Sequence, residues 1–152
     1  MKIRLIAVGK PRDRQLAESI AEYEKRAARY WPLAAHDVRE ENTRSADVAR
    51  AREGDRLLER AQGAVIVACD ERGDAMTSVE FADWLQAQRE AARDIAFVLG
   101  GAHGLDARLR SGALRILSLA PWTLPHEVAR LVLAEQLYRA GTIVRREPYH
   151  KA

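Results

Sequence analysis

Apolar positions along the chain follow two patterns, short continuous blocks and longer stripes with a three-to-four-residue repeat. Ile3–Val8 is the first block, of strand length and closed by Gly9. Asp13 then stands where it would cap a helix, and Leu16, Ile20, Tyr23, Ala27 and Tyr30 recur at the spacing of one helical face. Trp31-Pro32 ends that helix, because a residue before proline avoids the α region. Leu33–Val38 predicts a weaker second strand, and residues 42–45 form a polar break. A second helix over residues 46–62 is apolar at Val48, Ala51, Leu58 and Ala61 and weakened by Gly54. The unbroken apolar run 64–69 suits a strand buried on both faces of a parallel sheet.

Residues 70–74 read as a turn. Thr77 and Glu80 have capping-box spacing ahead of a helix reaching to about Ala92. Ile95–Leu99 is another buried strand, residues 106–111 make one or two helical turns, and residues 114–119 are the fifth strand. A long helix over residues 126–140 follows, with Gly141 as its C-cap and residues 142–152 as a short tail. Strands and helices therefore alternate. Alternation of this kind predicts the α/β class: a mostly parallel sheet of about five strands, helices on both faces, one domain over residues 1–152. Ligands of such sheets sit beyond the carboxyl ends of the strands. Here three ends draw notice: Cys69-Asp70, Gly100 to Gly104, and Ala120 to Pro125.

Composition narrows the class. The chain is 47% hydrophobic and 31% charged, which excludes a disordered protein. The formal net charge of +3 is matched by the last fourteen residues alone, where Arg139, Arg145, Arg146 and Lys151 oppose one acid, Glu147. That basic segment has two readings, a phosphate-contacting surface or a solvated helix end that complements its dipole. A single cysteine excludes a disulfide framework, and no His or acidic pair has metal-site spacing on a helix face, so no metal is expected. No signal peptide and no run of roughly 18 apolar residues is present, so a cytoplasmic protein without a membrane partner is expected.

The strand-end loops also keep two readings each. Gly100-Gly101-x-x-Gly104 is neither the dinucleotide fingerprint nor a P-loop. It is a tight turn or a loop whose backbone approaches a ligand closely. Ala120-Pro121-Trp122-Thr123-Leu124-Pro125 is nearly all apolar and stiffened by two prolines. It is either packed under the last helix or the rigid wall of a site for a flat heterocycle. Tyr149, His150 and Lys151 combine an aromatic, an imidazole and a cation, a set that suits RNA or a frayed terminus.

Taken together, Gly100-Gly101-Ala102-His103-Gly104, then Ser118-Leu119-Ala120-Pro121-Trp122-Thr123-Leu124-Pro125-His126, then Leu133-Ala134-Glu135-Gln136-Leu137-Tyr138-Arg139-Ala140, then Pro148-Tyr149-His150-Lys151, resemble the ribosomal RNA large-subunit methyltransferase H family. That resemblance implies the SPOUT class, with a C-terminal trefoil knot, S-adenosyl-L-methionine as cofactor, no metal, and a homodimer. It implies N3-methylation of a pseudouridine in 23S rRNA on the assembled large subunit or ribosome. Carried over, cofactor contacts fall at Cys69, Gly101, Ala120, Pro121, Trp122, Thr123, Leu124 and Pro125, and RNA binding or catalysis at Arg139, Tyr149 and His150. The family commonly has a bulkier aliphatic residue at the Cys69 position, and a His and an Arg where this chain has Glu147 and Lys151. Three rivals stand beside this reading: a knotted tRNA methyltransferase, a non-enzymatic ribosome-binding protein of the same fold, and an ordinary nucleotide-binding α/β protein.

Overall fold

A computed structural model describes residues 1–151; Ala152, the end of the expected tail, lies outside the described residues. The elements run β1 (Ile3–Val8), α1 (Arg14–Ala27), β2 (Leu33–Val38), α2 (Ala46–Ala61), β3 (Val65–Ala75), α3 (Ser78–Glu90), β4 (Ile95–Leu99), α4 (Ala107–Ser111), β5 (Arg115–Ser118) and α5 (His126–Val144). The strands form one sheet in the order β2-β1-β4-β3-β5, and every pairing is parallel. Side-chain alternation splits the core in two. Ile3, Leu5, Phe97, Val67 and Leu117 point to one face and pack under α1, α3 and α5. Ile6, Val8, Val98 and Ala68 point to the other and pack under α2 and α4. Helices cover both faces, as the unbroken apolar strands require.

Helix starts follow the expected caps. Asp13 accepts the Leu16 N–H at 2.9 Å, and Thr77 and Glu80 form a complete capping box. Two boundaries differ from the sequence reading. The expected turn at residues 70–74 lies within β3, which pairs with β5 through Cys69, bulges, and pairs again from Asp74. Gly73 permits this, since a Cβ there would sit 2.5 Å from the Ile116 carbonyl oxygen. The last helix does not stop at Gly141 but continues to Val144, with Arg145 as its C-cap. Gly141 serves packing instead: a Cβ there would collide with the Tyr30 ring. No described helix is long and apolar enough to cross a membrane.

α5 is anchored to the first half of the chain. The Trp31 indole N–H donates to the Leu137 carbonyl at 2.9 Å in the core. Arg130, only 6% exposed, bridges Glu24 at 2.9 Å and Asp37. These contacts fix the direction in which α5 leaves the sheet edge, and so where its two ends lie.

Candidate functional site

The strand order makes β4, β3 and β5 neighbours, so the carboxyl ends of β4 and β5 and the bulge of β3 after Cys69 open on one rim of the sheet. A cavity of about 1000 Å³ lies there. Cys69 comes from β3, Gly101 from the loop after β4, and Ala120, Trp122, Thr123, Leu124 and Pro125 from the loop after β5. The structure thus brings together seven of the eight residues expected to hold a cofactor; Pro121 does not line the space. Its size matches a small-molecule pocket, typically about 300–1,000 Å³.

Backbone shapes the rim. Gly104 has φ +79°, and its N–H returns to the Gly101 carbonyl at 3.1 Å. A Cβ on Gly100 would lie 2.8 Å from the Gly104 carbonyl carbon, so the loop folds too tightly for a side chain there. On the opposite wall, Ser118 Oγ donates to the Ala120 carbonyl at 2.8 Å and the Thr123 hydroxyl donates to Glu71. α5 begins at Pro125 with no side-chain cap, which leaves the positive end of its dipole at the cavity edge, where His126 and Ala129 also line it. Trp122, 77% exposed, projects at the mouth.

At the cavity Asp70 pairs with Arg72 and Arg110, and Arg50 with Asp47. Burial would raise the Asp70 pKa, but hydrogen bonds from the Arg72 backbone, Arg72 side chain and Arg110 guanidinium outweigh it and hold the carboxyl below its ordinary value. Enclosure pushes the Cys69 thiol up to about 12, so it is a neutral wall group and not a nucleophile. No three described His, Cys, Asp or Glu side chains gather as a metal site.

Arg139, Tyr149 and His150 do not line this cavity. Arg139 lies thirteen residues beyond His126 on α5, about 20 Å by the helical rise. There it meets the returning tail. Its guanidinium pairs with Glu135 at 2.6 Å and stacks 5.0 Å from the Tyr149 ring centroid. Tyr149 also packs against Tyr138, with centroids 4.5 Å apart, and donates its hydroxyl to Glu135 at 3.0 Å. Burial first, and then that hydrogen bond, hold the Tyr149 pKa well above its usual value, so the phenol keeps its proton. His150 Nδ1 is buried without a hydrogen-bond partner among the described residues.

The contacts of two acids at this end were not legible in the sequence. Glu135 joins Arg139 to Tyr149; only its i, i+4 spacing to Arg139 signalled a role. Glu147 accepts the Tyr30 hydroxyl and donates its N–H to the Thr142 carbonyl at 2.8 Å, so it fastens the tail to the turn after α1 and to α5. That hydrogen bond pushes the Tyr30 pKa up to about 12. The signal for this pair lay in no local pattern, since the partners are 117 residues apart.

Comparison with known proteins agrees with this architecture. The family described as Predicted SPOUT methyltransferase matches residues 1–150. A protein from Gemmatimonas aurantiaca called Ribosomal RNA large subunit methyltransferase H is 60% identical over 154 residues, spanning 99% of this chain and 100% of that protein. One of the same name from Trichlorobacter lovleyi is 40% identical, spanning 99% of each. A solved structure titled as a probable methyltransferase from Bordetella pertussis Tohama I superposes with a TM-score of 0.59 at 16% identity, over 92% of this chain and 94% of that one, a likeness of fold alone. With a match along all but the last two residues and relatives this similar over their full length, the chain belongs to the SPOUT methyltransferase family.

Proposed function

We propose that the protein methylates N3 of a pseudouridine in 23S rRNA, with S-adenosyl-L-methionine as methyl donor, acting as a cytoplasmic homodimer on the assembled large subunit or ribosome. The observation that carries this reading is the convergence of Cys69, Gly101 and the 120–125 loop on one cavity, where the ends of β4 and β5 meet the bulge of β3 between them. The residues present fit the donor. Leu119, Leu124 and Trp122 offer apolar walls, and the tight Gly100–Gly104 turn and the 120–125 loop offer backbone groups for its polar atoms. When bound, the donor supplies a sulfonium-activated methyl group, so the protein's task is alignment and handling of the acceptor's proton.

The acceptor N3–H is a weak acid, and removing its proton at neutral pH costs roughly 3–4 kcal/mol. Arg139 is a permanent cation held in place by Glu135 at 2.6 Å, and is suited to hold the anion that forms on the uracil ring. His150, with an unpartnered Nδ1, is the candidate acceptor of that proton. Protonated Tyr149 offers its ring to a base and holds Arg139 in place by stacking.

The distance between cavity and tail supports the dimer. One chain places its donor pocket and its basic tail about 20 Å apart along α5, so the tail of a second chain would complete each site. The threading expected of the class would involve β5 and α5, the elements that frame the 120–125 loop.

Incubation with methyl-labelled S-adenosyl-L-methionine and ribosomes from cells lacking the activity tests the reading. Label in 23S rRNA is expected. Ribosome binding without label would instead favour a non-enzymatic ribosome-binding protein of this fold.

A further inference from the structure

Glu53 lies on the covered side of α2 and is 2% exposed. Its Oε2 accepts the Glu41 N–H at 3.0 Å. Its Oε1 has no hydrogen-bond partner among the described residues. The same Oε1 would stand 3.5 Å from a Cβ placed on Gly101, so it faces the back of the glycine turn whose front lines the cavity.

The carboxylate is also rigidly held. Glu41, the residue it grips, is itself gripped by α2: its carboxylate takes Arg52 at 2.8 Å and Arg56 at 2.6 Å. Arg56 further donates to the Arg39 carbonyl at 2.8 Å. Three neighbouring residues of α2 thus clamp the segment after β2, and the clamp fixes where Oε1 points. A buried carboxylate oxygen left without a donor is costly, and such a group calls for a role that explains it.

We propose that Glu53 is a positioning residue for the cofactor loop: its free oxygen accepts a backbone N–H from the Gly101–His103 turn when the cavity is filled. The inference rests on the proposed reading of that cavity as the donor pocket. Filling the pocket and satisfying the carboxylate are then one event, and Glu53 favours the filled form. Glu53 touches neither donor nor RNA and acts through the loop.

The test is Glu53→Gln. It keeps the shape and one oxygen for the Glu41 N–H, but turns the other terminal atom into a donor that faces a donor. Calorimetry should show S-adenosyl-L-methionine binding weakened about tenfold or more, and the KM for the donor should rise while kcat at saturation stays within about twofold. The melting temperature of the cofactor-free protein should hold or rise, since an unpartnered buried charge is gone. Unchanged affinity would overturn the inference, whether or not the melting temperature falls. If the variant does not fold, amide exchange on the parent decides: protection in the Gly101–His103 turn should rise on adding the donor, and unchanged protection overturns the proposal. A parent protein that binds no donor would overturn the reading beneath, and this inference with it.

Discussion

Glu135 and Glu147 show how single acids define the tail end of α5. Glu135 holds Arg139 and Tyr149 in one cluster, and Glu147 pins the tail through Tyr30. Glu147 departs from the pattern of the resembled family, and its hydrogen bond explains how the chain accommodates it: the acid is spent on Tyr30. The division of labour between cavity and tail gives a prediction at this scale. His150→Ala should cut methylation at least about tenfold while leaving donor binding in calorimetry within about twofold. Gly101→Val should instead abolish donor binding, and methylation with it, with the far-ultraviolet circular dichroism retained, because a Cβ there meets Val8 at 2.9 Å and displaces the loop that lines the cavity. Equal losses of both properties in His150→Ala would remove that residue from the RNA side. Of these residues, Gly101 and the 120–125 loop were legible as ligand candidates from glycine and proline chemistry, and the tail from its aromatic, imidazole and cations; the resemblance chose between the two readings of each. Glu53 was not legible. It sits in the run Arg52-Glu53-Gly54-Asp55-Arg56, which reads as a solvated helix face, and only the packing of α2 against the glycine turn reveals it.

At the scale of elements, periodicity and caps located nearly every strand and helix, and β1, β2 and β4 match to the residue. The misses have one cause. Gly73 and Gly141 are turn signals locally, yet both are selected by close approach of another segment, β5 in one case and Tyr30 in the other. Local sequence carries no trace of such long-range contacts. The same holds for the ion cluster that ties α5 to α1 and β2. Arg130 sat on α5 without a predicted partner; the fold gives it Glu24 and Asp37 and removes it from solvent. Arg130→Met leaves both carboxylates unpaired. The carboxylates keep some solvent, so the cost should be about 2–3 kcal/mol, somewhat less than for a fully buried pair. Thermal melting should fall by roughly 4–10 °C. A shift below about 1 °C would mean that the cluster contributes little.

For the molecule as a whole, the α/β class was legible, but strand order was not. Alternating elements say that the sheet is parallel; they do not say that β4, β3 and β5 are neighbours. That order turns three unrelated loops into one cavity. It also leaves Arg139, Tyr149 and His150 away from it. A shared site in a homodimer predicts complementation. Mixed His150→Ala and Gly101→Val chains, unfolded and refolded together, should recover up to about one quarter of parental methylation, since half the dimers are mixed and each has one intact site. No recovery, or an active monomer in sedimentation, would contradict the shared site.

The central claim, a methyl group placed on a pseudouridine of 23S rRNA, is tested most directly by mass spectrometry of that RNA from cells with and without this gene. One methyl-pseudouridine should disappear when the gene is removed and return when it is restored. An unchanged nucleotide profile would contradict it.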